Sequence, residues 1–321
     1  MHLTLGLGPG LALGLALLTV LSLAIGPAGF GLPQGAAWLI LLEIRLPRTL
    51  LGILIGGSLG LAGAVLQGYL RNPLAEPGVI GISGGAGLGA VLAIHSGAST
   101  ALALALPIGG MLGALAATLV VLLLAGERGG ALTLILAGVA VSSVATALIS
   151  LALNLSRNPF AAVEIVFWLM GSLADRSLTH VWLGAPFMLA GIGLLLRLGP
   201  GLDALALGED AASNLGIDLK TLRRTAIAGA ALSVGAATAI AGTIGFVGLV
   251  VPHLLRPLVG HQPSRLLPVS LMGGAILILA ADIGLRLLTP AGEIRLGVVT
   301  ALIGTPLFLW LVVRTRRELA P

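Results

Sequence analysis

Long apolar runs, broken by isolated charges, prolines and glycine clusters, make up almost the whole chain. Dividing it at those breaks predicts about ten spans, at residues 9–30, 48–68, 77–96, 101–125, 131–153, 181–199, 222–241, 246–260, 268–288 and 295–313. Runs of about 20 apolar residues match a bilayer core about 30 Å thick. No run alternates with the period of two that a half-buried strand needs. Backbone polar groups in lipid must be satisfied within the protein, so the pattern predicts an all-α integral membrane protein, one transmembrane domain over residues 1–321. The eighth span is short and carries Pro252, and the longest connection, 154–180, contains an apolar piece, VEIVFWLMG, that reads as a short or re-entrant helix. The first apolar run lacks a basic leader and is read as a retained span.

Composition changes this picture little, with 57% of the 321 residues hydrophobic and 9% charged. The excess of 17 Lys and Arg over 12 acids would suit a nucleic-acid partner in a soluble chain. Here the basic residues stand singly at span ends with no aromatic interleaving, which argues against nucleic acid. The absence of cysteine excludes disulfides and thiolate metal sites. An even number of spans puts both termini on one side, with Arg71, Arg128, Arg197, Lys220, Arg223, Arg224, Arg256, Arg265, Arg314, Arg316 and Arg317; Arg45, Arg48, Arg157, Arg176, Arg286 and Arg295 fall on the other. Eleven against six predicts that the first side is cytoplasmic.

Small residues recur every four positions: Gly52, Gly56, Gly60, Ala64 and Gly68 in the second span, Gly81, Gly85 and Gly89 in the third, Gly229, Ser233, Ala237 and Ala241 in the seventh. Such ladders predict close helix packing. The segment GISGGAGLG has no soluble strand before it, so a phosphate loop is not predicted.

Leu198–Thr225 is the most polar stretch of the second half. It reads as a short amphipathic helix from about Asp203, closed by Gly216 just past its end, with Asp218 as N-cap of the next helix. Either it is an ordinary polar loop or it is a rigid knob for a cytoplasmic partner. In NPLAEPG, Pro73 and Pro77 predict a stiff turn, since each removes a backbone donor and restricts its neighbour. Arg45, Arg48, Arg286 and Arg295 collect at the opposite side, either anchoring helix ends or offering guanidiniums to carboxylates on a partner. Asp282 and Arg286, four apart, predict an intrahelical ion pair rather than a proton relay. His253 is read as packing rather than as a metal ligand, because no second ligand lies at helical spacing, and no metal site is predicted.

Seven segments in order carry a resemblance: RLPRTL (45–50), NPLAEPG (72–78), LAGVA (136–140), FWLMGS (167–172), GEDAASNLG (208–216), GFVGLVVPHLLR (245–256) and GVVTALIGTPLF (297–308). With these the chain resembles the FecCD family, the permease subunits of ABC importers for iron chelates and vitamin B12. The resemblance implies the BtuC-like ABC permease fold of about ten transmembrane helices. It implies coupling helices at about 202–218, with Gly208, Glu209, Asp210, Ala212, Asn214, Leu215 and Gly216 meeting an ATPase subunit and Leu215 as apolar anchor. By the same resemblance Arg45, Arg48 and Arg286 meet acidic residues of a substrate-binding protein; Arg295, at a position where many relatives carry proline, is grouped with them as a docking candidate by its place on that side. Asn72, Pro73 and Leu74 would form a cytoplasmic gate with Gly130, Ala131 and Leu132, and 154–180 would lie outside the cell.

The partners implied are a second copy, two cytoplasmic ABC ATPase subunits, one periplasmic or extracytoplasmic binding protein and the lipid bilayer of the bacterial inner membrane. The chain has no G-x-x-x-x-G-K-[ST] motif, so no cofactor is expected on it, and ATP and Mg would sit on the ATPase. The expected cargo is a ferric siderophore or haem, with cobalamin as the alternative. An ion-coupled secondary transporter would need ionisable groups in mid-span, where there are almost none, and a membrane enzyme would need them clustered.

Overall fold

The structure is a computed structural model that describes residues 2–26, 29–30, 38–126, 129–156, 158–288 and 294–319. Among these, seven helices are long and apolar enough to cross a membrane. They are α1 (His2–Ala24), α2 (Trp38–Tyr69), α4 (Ala105–Ala125), α5 (Ala131–Leu155), α7 (Leu178–Leu196), α10 (Leu219–Ala241) and α12 (Pro263–Leu288). Between them lie α3 (Ile82–His95), α6 (Pro159–Leu169), α8 (Gly199–Leu205), α9 (Glu209–Asn214) and α11 (Val247–Leu255), and α13 (Leu296–Leu319) follows. Arg128 and Arg157, both in the charge count, lie outside the described residues.

The predicted spans all coincide with helices, with informative shifts. The second begins at Trp38 rather than 48, because Arg45 and Arg48 do not end the helix: a π-helical turn, Leu41–Arg45, carries it through, and their charges are satisfied inside the protein. The third span is a 14-residue helix behind a 3₁₀ turn at Pro77–Ile80. The eighth shrinks to α11, nine residues long, which at 1.5 Å per residue reaches about 13 Å, less than half the hydrocarbon core. VEIVFWLMG is the short helix α6, as the sequence predicted.

Helix α2 is the centre of the bundle and packs against α12, α10, α7 and α11. Most of its side chains from Leu51 to Gln67 are buried. The small-residue ladder explains the closeness: a Cβ at Gly56 or Gly60 would collide with the α12 backbone at Gly274 and Ser270, and one at Gly63 with Gly248 of α11. Gly85 and Gly89 of α3 meet Gly113 and Gly109 of α4 in the same way, and Gly229 of α10 faces Gly191 of α7. Gly81 departs from its predicted ladder role. Its φ of +81° makes it the left-handed turn into α3, a conformation that costs glycine little.

Helix α11 starts deep within the bundle. Phe246, just ahead of it, touches Gly304, eight residues or about 12 Å into α13. Gly248 touches Gly63, six residues or about 9 Å from the far end of α2. The chain therefore runs from the end of α10 to this depth through residues 242–246 without helix.

Candidate functional site

The polar elbow contains two helices where the sequence predicted one. α8 starts at Gly199, with Pro200 in its first turn, and the chain breaks after Leu205 at Gly208, whose φ of +115° no helix accepts. α9 then runs to Asn214 and closes as predicted: Gly216 N–H donates to Ser213 O at 3.0 Å and Ile217 N–H to Ala212 O at 3.0 Å, the paired bonds of a Schellman end. Asp218 caps α10, accepting from Lys220 N–H at 3.0 Å and from the Thr221 hydroxyl at 2.5 Å. These bonds hold its carboxyl below the usual carboxylate range.

In this elbow Ala212 is fully buried, whereas Glu209, Asp210, Asn214 and Gly216 are exposed and Leu215 is 64% exposed at the tip. An apolar side chain on a doubly capped turn is a fixed projection rather than a tether. Underneath, Leu202 of α8 packs against Gly68 of α2. Asp203 of α8 accepts from Ser264 N–H at 2.8 Å and Gln262 Nε2 at 3.2 Å, binding the elbow to the start of α12. Partial burial works against ionisation of Asp203, but its bonds from Ser264 and Gln262 outweigh it and hold the carboxyl below its ordinary value.

The NPLAEPG turn is built as stiffly as its prolines predict. Leu74 N–H donates to Asn72 Oδ1 at 2.9 Å, Asn72 N–H to Gln67 O at 3.1 Å, and Ala75 N–H to Asn72 O at 3.1 Å. The 3₁₀ turn that follows packs on α5, where Gly138 lies against Val79 and Ile80. Gly130 caps α5 in extended backbone, Ala131 is half-buried and Leu132 is exposed.

Three side chains that the sequence did not single out for this region bind it together. Glu76 Oε1 accepts from Phe246 N–H at 2.9 Å, which ties the turn to the inner start of α11. Gln67, buried in α2, donates to Gly248 O and Leu249 O at 3.1 and 3.2 Å and accepts from Arg256 at 2.6 Å. Arg223 of α10 donates to Gly129 O at 2.7 Å, beside the second gate element. An acid and a glutamine in an apolar stretch were the signals available, but their partners lie some 170 and 180 residues away.

At the other end, the arginines are held inside the molecule. Asp282, 1% exposed, receives Arg48 through Nε at 2.9 Å and Nη2 at 2.7 Å, and Arg286 through Nη2 at 2.9 Å. The predicted Asp282–Arg286 ion pair is present, with Arg48 as a third member. Arg286 also donates to Ser22 O and Ile25 O, each at 2.8 Å, and Arg45 to Leu23 O and Ala24 O at 2.9 and 3.0 Å. Ser22, Leu23 and Ala24 form the end of α1, where carbonyls lack an intrahelical donor, so the guanidiniums act as its C-terminal cap, and Arg286 also reaches Ile25 just beyond it. Arg295 lies 4.9 Å over the Phe167 ring. His253 sits in the last turn of α11 beside Leu307, Phe308 and Trp310 of α13.

A cavity of about 600 Å³ opens between the end of α6, residues 243–246 and α13. Its wall is apolar apart from Thr243 and Thr305, and the Thr243 hydroxyl donates to Leu169 O.

Comparison with known proteins covers nearly the whole chain. A model of the FecCD transport family matches residues 6–314. A vitamin B12 import system permease protein, BtuC, of Klebsiella pneumoniae is 39% identical over 96% of this chain and 93% of its own length. The protein of the same description from Vibrio cholerae is 42% identical over 88% of this chain and 84% of its own. A solved structure described as an inward-facing conformation of a metal-chelate type ABC transporter superposes with a TM-score of 0.87 at 36% identity, covering 96% of this chain and 98% of the other.

Proposed function

We propose that this chain, which belongs to the FecCD transport family, is the membrane-spanning permease of an importer that carries cobalamin across the bacterial cytoplasmic membrane. What carries this reading is the identity of about two residues in five with vitamin B12 permeases along nearly the full chain. It takes precedence over the ferric siderophore or haem expected from sequence. The metal-chelate type structure keeps those cargoes as the second reading, since cobalamin is itself a metal chelate.

In this reading two copies pair, and the 600 Å³ apolar cavity of each supplies half of a pathway for a bulky cargo. Two ATPase subunits, holding ATP and Mg, dock on the elbow around Leu215, and both termini lie on that side. Glu209, Asp210 and Asn214 form the polar rim of the contact. Asn72–Leu74 and Gly130–Leu132 close the pathway near the ATPases. Displacement of the elbow reaches them through Leu202 against Gly68, through Asp203 on α12, and through Arg223 on Gly129. A binding protein docks at the opposite end, where the network around Arg45, Arg48 and Arg286 orders the receiving surface and Arg295 lies near its edge.

The test is uptake of radiolabelled cobalamin by cells that lack their own cobalamin permease and express this chain with its ATPase and binding protein. ATP-dependent accumulation of cobalamin is expected, and accumulation of ferric siderophore or haem in its place would overturn the assignment.

A further inference from the structure

A second groove runs along the outside of the bundle, away from the elbow tip and the arginine network, and shares with the route to the gate only Arg223. Its long part, about 550 Å³, lies between α4, α7 and α10, walled by Leu112, Leu115 and Leu119, by Phe187, and by Ala231 and Leu232. Its polar contribution is minor: Thr118 turns its hydroxyl back to Ala114 O at 2.7 Å. At Leu122, which borders both cavities, the slot meets a pocket of about 300 Å³ lined by Gly126, Lys220, Arg223 and Arg224. From Ile108 to Gly126 the combined groove follows 18 residues of α4, or about 27 Å. It thus spans most of one bilayer thickness and ends in positive charge on the side of α8 and α9.

Charge and shape specify the occupant together. Arg223 is only 7% exposed, and its Nε has no hydrogen-bond partner among the described residues while Nη1 is engaged by Gly129 O. Lys220 and Arg224 project from the first turns of α10 at i and i+4, where the helix N-terminus adds positive potential. A free anion would meet the buried Arg223 Nε but leave the apolar slot empty, and a neutral lipid would do the reverse. We infer that this groove is a binding site for one anionic glycerophospholipid of the leaflet on the α8–α9 side. Its phosphate would lie among Lys220, Arg223 and Arg224, with one acyl chain along the α4–α10 slot.

Native mass spectrometry of the full-length chain in mild detergent, offered equal amounts of phosphatidylglycerol and phosphatidylcholine, tests this. One retained phosphatidylglycerol per chain is expected. Lys220→Gln and Arg224→Gln should each weaken retention about fivefold, and the pair together about 30-fold, from the usual worth of a basic residue near a headgroup. Ala231→Phe, which fills the slot and leaves the charges in place, should also displace the lipid, while the variant's size-exclusion profile reports that it still folds. Equal retention of both lipids, retention of neither, or retention unchanged in the double charge variant would each overturn the inference. So would binding of inorganic phosphate alone as strong as that of the lipid, which would make the pocket a simple anion site.

Discussion

Replacing Asp282 with alanine should be among the most damaging single changes at the arginine-rich end of the bundle, and the structure gives the reason. One carboxylate, 1% exposed, separates two guanidiniums, with Arg48 at 2.7–2.9 Å and Arg286 at 2.9 Å. Their side chains are 19% and 5% exposed, so neither can turn fully into solvent. With the carboxylate gone, two positive charges on the order of 6 Å apart repel by about 3 kcal/mol at an effective dielectric of about 20. The lost hydrogen bonds bring the total to the 3–5 kcal/mol typical of breaking a buried pair. Arg48→Met should behave differently, because it leaves the neutral Asp282–Arg286 pair and the α1 cap intact, and its cost should stay near 1 kcal/mol. Thermal unfolding of the detergent-solubilised chain reads the difference: at about 2 °C per kcal/mol, Asp282→Ala should lower Tm by at least about 6 °C and Arg48→Met by about 2 °C. Equal shifts in the two variants, or a shift under about 1 °C for Asp282→Ala, would refute the charge argument.

Leu215→Glu should leave insertion and thermal stability within about 0.5 kcal/mol of the parent, since the side chain is exposed, while ATP-driven uptake in the assembled transporter is lost; normal uptake would remove the elbow from coupling. Because the Asp203 carboxyl is held below its ordinary value, its tie to α12 is fully present above the unfolded pKa, about 3.9, and weakens as pH falls through the lower folded value. Hydrogen exchange at Ser264 N–H should therefore stay protected at pH 5 and open only below about pH 4, and loss of protection at neutral pH would contradict the assignment.

What the sequence disclosed was local. Hydropathy located the helices, four-residue spacing located the close contacts of α2 with α12 and of α3 with α4, and cap chemistry located Gly216 and Asp218 to the residue. The Asp282–Arg286 pair followed from a one-turn separation. The features it hid depend on distant partners. Arg48 reads as a helix terminator until Asp282, 234 residues away, neutralises it, and only then can α2 extend back to Trp38. Gly208 is one of 48 glycines, and its left-handed backbone has no signature of its own. The eighth span was expected over 246–260, short and carrying Pro252, yet α11 is shorter still. Its shortness reflects backbone packing at Gly63 and the Glu76 bond to Phe246, neither of which hydropathy registers. The candidate elbow was legible because it is polar in an apolar chain, whereas the ties beneath it, Asp203 to Ser264 and Arg223 to Gly129, are tertiary.

The non-helical stretch at 242–246 has a mechanical consequence. A continuous helix fixes the distance between its ends by internal bonds, whereas 242–246 is held by its neighbours: Gly242 lies against Trp168 O and Gly171, the Thr243 hydroxyl donates to Leu169 O, and Phe246 N–H donates to Glu76. The crossing made by 242–246 and α11 is therefore moored sideways, to the end of α6 and to the NPLAEPG turn, rather than along its own axis. A displacement of that turn is thereby handed straight to Phe246 at the start of the short helix, without passing through α10.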